Sequence, residues 1–303
     1  MKPIASPSVR KLAAERGVDL DALARRLGRE SIAREDVLAG AGQNAGQNAG
    51  QGDAPAERQS PRDEGAAWWA EEHAGFGPVR EEPLDRMAQV GAARLGAAQR
   101  LIPSVTHHES ADVTRLEAAR TDAKARGGKV TALAVHVAVL VRCLREFPRF
   151  NASLSPDGAR LILKEFVHVG IAVDTGRGLV VPVIRDADRK PVRALSAEIA
   201  DLAARARGRR IRPAEMGGAS MTISNLGGIG GESFTPIVNP PELAILGISR
   251  AEVRPHWDGA AFVPRKMVPL DLSYDHRVIN GADAARFLAR YAALLRDPDR
   301  LLL

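Results

Sequence analysis

The sequence predicts an α/β fold built on a mixed β-sheet, with a small helical module and a tether ahead of it. Three observations lead there. From Pro78 to Leu303 helical patterns alternate with short β-branched runs. From Ala39 to Gly77 the chain offers almost nothing to bury, and from Ala5 to Leu38 short amphipathic helical patterns stand alone. The expected organisation is therefore 5–38 as a helical module, 39–77 as a linker and 78–303 as the main domain.

In the first region Ser6 caps a helix with Pro7 in its first turn. Val9, Leu12 and Ala13 form its apolar stripe, and Gly17 ends it. A second helix is expected where Ser31 precedes the run Ile32 to Leu38. The linker carries AGAGQNAGQNAGQG and then a Pro- and charge-rich stretch, the composition of a flexible tether, interrupted by Trp68 and Trp69.

The third region is read as a buried helix over Thr131 to Phe147 and strands over Phe166 to Val173 and Leu179 to Ile184, joined by a turn at Asp174 to Gly178. A helix follows over Val192 to Arg209. Further strands are expected at Ser220 to Ser224, Leu243 to Ile248 and Met267 to Ser273, with a last helix at Ala282 to Leu295.

Composition bounds the function. Of the 303 residues 45% are apolar and 26% charged, ordinary for a soluble domain, but only 4% are aromatic, so Ala, Val, Leu and Ile must build the core. The net charge of +6 suits an anionic ligand. The basic residues are interleaved with acids rather than clustered, so no nucleic-acid surface is expected. The single cysteine, Cys143, lies in an apolar run and excludes an internal disulfide; it reads as a buried thiol in a reducing compartment. Met1-Lys2-Pro3 is not followed by an apolar stretch, and no segment is long and apolar enough for a bilayer, so no membrane is expected and the protein is read as cytoplasmic. No metal site is expected either.

Two clusters carry chemistry. Ser273 to Gly281 reads SYDHRVING, a strand running into a turn and then a helix, which sets His276 at a strand end. Imidazole ionises near neutral pH and suits proton transfer from a thiol. The bland alternative is a hydrogen-bonded turn histidine. Asn280 has its own alternative, a helix N-cap with Asp283 three positions on. The second cluster, TISNLGGIGG over Thr222 to Gly231, puts the Ser224 hydroxyl beside a Gly-rich loop, where it can donate to a developing oxyanion. No Lys-Ser/Thr follows the glycines, so it is not a phosphate loop.

Taken together the motifs resemble a known family. FPRFNASL (Phe147 to Leu154), HVGIAVDTGRGLVVPVIRDAD (His168 to Asp188), MTISNLGGIGG (Met221 to Gly231), FTPIVNPPELAILGISR (Phe234 to Arg250) and LSYDHRVINGADAARFL (Leu272 to Leu288) resemble, in order, the catalytic domain of dihydrolipoamide acyltransferases. These are the core components of 2-oxo acid dehydrogenase complexes, and the wording is most similar to the acetyltransferase of bacterial pyruvate dehydrogenase complexes. The resemblance implies a chloramphenicol-acetyltransferase-like α/β domain assembled as trimers with active sites between subunits. It implies His276 as general base, Ser224 as oxyanion donor and Asn280 as a further site residue, where the usual pattern has Asp. It gives Asp275 no proton-transfer role. Coenzyme A would be a substrate, with Arg86 as a candidate contact, and a lipoyl group would come from another protein or a missing domain.

Ala5 to Leu38 resembles the peripheral-subunit-binding domain of the same family, through SPSVRKLAAERGVDL and IAREDV. It departs at RRLGRES, where Ser31 stands in the place of an Arg. That likeness implies lipoamide dehydrogenase or the 2-oxo acid decarboxylase as partner, gripped through Ser8, Arg10 and Lys11. Lys124, in Asp122-Ala123-Lys124-Ala125, lies inside the catalytic segment and is not read as a lipoylation site. The C-terminal Leu301-Leu302-Leu303 resembles the anchor that joins trimers into a larger core. Two alternatives stand beside this reading: a non-catalytic core or tethering subunit, and a free-standing CoA-dependent acyltransferase acting on a small molecule.

Overall fold

In the computed structural model residues 5–16, 18–41, 73–176 and 178–297 are described. The Gly17 helix stop, Trp68 and Trp69, most of the Gln/Asn-rich tether, Arg177 and Leu301 to Leu303 lie outside them. The chain divides into two compact units, Met1–Glu81 and Glu82–Leu303.

Among the described residues between 5 and 41 there are three α-helices rather than the expected two. In α1 (Pro7–Glu15) the Ser6 hydroxyl accepts from the Val9 amide, as its N-cap position requires. The unforeseen helix is α2 (Leu20–Leu27). Asp19 caps it, accepting the amides of Asp21 at 2.8 Å and Ala22 at 3.3 Å, and Gly28 ends it in the left-handed region at φ 65°. Ser31 does not start the next helix, α3 (Arg34–Ala41). Asp36 does, by reaching back to the Ala33 amide at 2.8 Å while Arg29 grips both its oxygens at 2.7 and 2.9 Å. Val9, Ala13, Val18, Leu23, Ala24, Ile32 and Val37 share the small core.

The second unit is a seven-stranded mixed sheet in the order β1-β11-β9-β8-β4-β7, with β10 also paired to β11. The strands are β1 (Ser104–Asp112), β4 (Val169–Ile171), β7 (Val183–Ile184), β8 (Met221–Asn225), β9 (Ala244–Ile248), β10 (Glu252–Trp257) and β11 (Phe262–Asp275), with two small hairpins, β2 (Ala152–Leu154) with β3 (Leu161–Leu163) and β5 (Val173–Asp174) with β6 (Leu179–Val180). β4, β8 and β9 run parallel to one another, and the remaining pairs are antiparallel. The helices are α4 (Arg86–Leu101), α5 (Thr114–Ala125), α6 (Ala132–Glu146), α7 (Val192–Arg207) and α8 (Gly281–Arg296).

Two strands expected as continuous are each broken: the Leu179 to Ile184 run splits into β6 and β7 at Pro182, which has no N–H to give a ladder, and Phe166 to Val173 yields only β4 and β5. Strand β11 is longer than expected at 14 residues. β1 was not foreseen, since SVTHHESAD is polar; nine paired residues along β11 make it a strand.

The sheet has two unlike faces, because successive side chains in a strand point to opposite sides. Leu270, Leu272 and Tyr274 of β11, Leu246 and Ile248 of β9, Met221 and Ile223 of β8, and Val169 and Ile171 of β4 join side chains of α5 to α8 in one core. Their neighbours on the opposite face are Thr222, Ser224, Gly247, Asp271, Ser273 and Asp275, with Thr106 and His108 alongside. Apolar burial fixes the first face, and hydrogen bonds hold the second: the Thr106 and Ser273 hydroxyls meet at 2.8 Å. Gly170 is needed in β4 because a Cβ there would come within 2.5 Å of the Thr222 hydroxyl.

Candidate functional site

His276 is the first residue after β11, and the turn holding it is fixed by its neighbours. The Asp275 amide donates to Leu243 O at 2.8 Å, and Asp275 O accepts the Val278 and Ile279 amides at 3.1 and 3.0 Å. Its carboxylate, 1% exposed, takes the Arg277 amide at 3.0 Å and the guanidinium at 2.6 Å. That bond pushes the Arg277 guanidinium above its ordinary value. Asp275 is thus committed to the turn and to Arg277. The His276 amide donates to Pro103 O at 3.1 Å. Its ring is exposed, lies 5.7 Å from the Tyr274 ring, and makes no hydrogen bond among the described residues. Asn280 caps α8, its Oδ1 accepting the Asp283 amide at 2.9 Å, which leaves the side-chain NH2 as the group free of that cap.

Ser224 is half-buried on the polar face, paired with Gly247 of β9. The loop after it is held in place: Asn225 Oδ1 accepts the Gly227 amide at 2.9 Å, and Arg250 donates to Ile229 O at 2.7 Å. The register separates Ser224 from His276. Gly247 pairs with both Ser224 and Asp271, so these lie in one row across the sheet. His276 lies beyond the end of β11, roughly 17 Å farther along at about 3.4 Å per residue, and two strand spacings add about 10 Å sideways. Within one copy the two side chains are therefore about 20 Å apart.

The remaining expected residues are dispersed. Arg86 is exposed at the start of α4, whose next residue, Met87, packs near Gly178. Ser8 and Arg10 help set the start of α1, through Ser6 Oγ at 2.9 Å and Ala5 O at 3.1 Å, and Lys11 is exposed on the same helix. Lys124 is exposed on α5. A cavity of about 410 Å³ lies beside α5 and is lined by Glu117, Arg120, Lys124 and Lys129, with neither His276 nor Ser224 among its walls. Among the described residues no group of three or more His, Cys, Asp or Glu could hold a metal ion, and no helix is long and apolar enough to cross a membrane.

Sequence reasoning missed four polar groups on the second face. Glu242, 4% exposed, accepts from the Thr222 hydroxyl and the Asn239 amide, both at 2.9 Å, and burial pushes its carboxyl up. Its Oε2 has no partner among the described residues. Asp271, Ser233 and His108 form a second network. The available signal was a carboxylate inside each apolar run, PPELAILG and VPLDLSY. Two further groups belong to the core instead. His136, bonded to the Tyr291 hydroxyl at 2.9 Å, is pushed by burial down to about 4, and burial drives the Cys143 thiol up to about 12.

Comparison with known proteins decides the family. Residues 76–303 match the model of the 2-oxoacid dehydrogenases acyltransferase (catalytic domain), and residues 3–38 that of the e3 binding domain. The chain belongs to the 2-oxoacid dehydrogenase acyltransferase family. Relatives in this family include the dihydrolipoyllysine-residue acetyltransferase component of the pyruvate dehydrogenase complex of Azotobacter vinelandii, 46% identical over 99% of this chain and 47% of its own length. The same component from Pseudomonas aeruginosa is 53% identical over 75% of this chain and 42% of its own. The chain spans about half the length of the curated relatives it matches. A solved structure of the Azotobacter vinelandii dihydrolipoamide acetyltransferase superposes with a TM-score of 0.75 at 50% identity, over 77% of this chain and 98% of that one; it concerns the role of a serine, a histidine and an asparagine in the catalytic mechanism. The cubic core of a pyruvate dehydrogenase multienzyme complex superposes equally well, TM-score 0.75 at 51% identity over 77% and 98%.

Proposed function

We propose that this chain transfers an acyl group, acetyl in the first instance, between dihydrolipoamide and coenzyme A, at sites shared between copies in a multi-chain core of a pyruvate dehydrogenase complex. His276 of one copy takes the proton of the attacking thiol. The thiolate adds to the thioester carbonyl, and the Ser224 hydroxyl of an adjacent copy donates to the oxyanion. Collapse expels the other carrier as a thiolate, which recovers the proton from the imidazolium, so the exchange is redox-neutral. The Asn280 NH2, left free by the helix cap, is available to donate a hydrogen bond in the site. Asp275, spent on Arg277, takes no proton.

The carrying observation is one of spacing. Ser224, His276 and Asn280 stand at the same intervals as the serine, histidine and asparagine studied in the Azotobacter vinelandii enzyme. The separation of roughly 20 Å supports a site made by two copies, since reacting groups must come within about 3.5 Å. In the first unit, Ser8, Arg10 and Lys11 on the outer side of α1 are proposed to meet lipoamide dehydrogenase or the decarboxylase. The lipoyl group arrives from outside the residues present here, and the setting is cytoplasmic.

The test is CoA-dependent acetyl transfer to free dihydrolipoamide. Transfer by the parent that falls at least about a hundredfold in His276→Ala supports the reading. An inactive parent, with acetyl-, propionyl- and succinyl-CoA all tried, rejects it.

A further inference from the structure

Ser224, Gly247, Asp271 and His108 pair successively across β8, β9, β11 and β1, so they form one row on one face. Asp271 is 1% exposed, yet both its oxygens are engaged. Oδ1 accepts the Ser233 hydroxyl at 2.7 Å and lies 2.7 Å from His108 Nδ1, which also stands 2.9 Å from Ser233 Oγ. Oδ2 accepts the Phe234 amide at 3.2 Å. A carboxylate only accepts, so His108 Nδ1 carries the proton in this arrangement. One buried group thereby fixes two consecutive loop residues, 233 and 234.

What that fixes is an aromatic ring beside the oxyanion donor. A Cβ on Gly247 would lie 2.8 Å from Phe234 Cζ and 2.9 Å from Cε1, so the ring occupies the slot that a side chain at 247 would fill. Gly247 is the row neighbour of Ser224 on the adjacent parallel strand, about 4.8 Å away. The Phe234 ring is therefore the immediate neighbour of the Ser224 hydroxyl in the row. An acyl chain whose carbonyl is held by Ser224 must run close to that ring. A buried carboxylate costs desolvation that an apolar residue here would avoid, and in exchange it holds a single loop geometry.

We propose that Asp271, Ser233 and His108 are positioning residues that seat Phe234 beside Ser224 and so set the size of acyl group the site admits. This rests on the acyl-transfer reading above. The experiment measures kcat and KM for acetyl-, butyryl- and isobutyryl-CoA with dihydrolipoamide in the parent, Ser233→Ala, Asp271→Asn and Phe234→Ala. Ser233 is exposed, so its variant tests the idea even if Asp271→Asn folds poorly. The expected result is a rise of about 5- to 10-fold in the butyryl-to-acetyl ratio of kcat/KM in both clamp variants, carried mainly by a lower KM for the longer donors, and a larger rise in Phe234→Ala. A shift in Phe234→Ala with none in the clamp variants overturns the positioning role. No shift in any variant overturns the placement of Phe234 against the acyl chain. A parent that transfers nothing overturns the acyl-transfer reading, and this inference with it.

Discussion

Co-assembling Ser224→Ala with His276→Ala asks whether one active site draws on two copies. The structure sets the magnitude. With the two side chains about 20 Å apart in a single copy, no thioester can touch both. Each variant alone removes one group from every site and is expected to lose about a hundredfold or more in transfer rate. Co-expressed in equal amounts and mixing at random in a cyclic assembly, the two variants leave about a quarter of the sites with an intact histidine facing an intact serine. The assay is acetyl transfer from acetyl-CoA to dihydrolipoamide, with both variants differently tagged so that mixed assemblies can be isolated. Recovery to about a quarter of the parent rate in the unfractionated pool, rising to about a third in isolated mixed trimers, is the expected outcome. Mixed assemblies no more active than the sum of the two variants would refute the reasoning, because it would mean that both groups serve from the same copy.

Two further outcomes follow from buried groups. His136 is held down to about 4 against an ordinary 6.5, so the folded state binds fewer protons there than the unfolded state. Its contribution is complete above pH 6.5 and erodes as pH falls towards 4, by about 2 kcal/mol at pH 5. Urea unfolding at pH 7.5 and 5.0 checks this, and His136→Gln, whose side-chain amide can still donate to the Tyr291 hydroxyl, is expected to lose most of that difference. Glu242 is shifted the other way, upwards, by burial. Its carboxyl favours folding most at low pH, and that contribution is lost as pH rises through the folded value. Glu242→Gln is accordingly expected to cost little at neutral pH. Glu242→Ala, which strips Thr222 and Asn239 of their acceptor, should cost about 1–3 kcal/mol in the same unfolding assay.

Particular elements explain what could be read early. α6 and α8 were legible because their apolar periodicity reports burial within the same chain, and nine residues of α6 are buried. α2 was missed although Asp19 and Gly28 mark both its ends; only eight residues separate the punctuation, too few for periodicity to stand out. β1 carried no apolar alternation, because it lies at the sheet's edge in this chain and its pairing comes from β11, more than 150 residues away. α4 buries only Ala98 among the described residues, so its sequence had little amphipathic signal to give.

The sequence by itself determined the alternation that builds the sheet and the motifs by which the chain resembles its family, from which the proposed site residues His276, Ser224 and Asn280 were drawn, because these are written in residue type and local spacing. Only the tertiary structure decided that Asp275 is tied to Arg277, that Asn280 caps α8, and that Ser224 lies two strands away from β11, in the row of Asp271, while His276 lies beyond that strand's end. It also gathered Asp271, Ser233 and His108 from three distant segments around Phe234. The physical reason is register: which residues face each other across strands is fixed by long-range pairing and by which face is buried, and local sequence carries no record of a partner more than a hundred residues away.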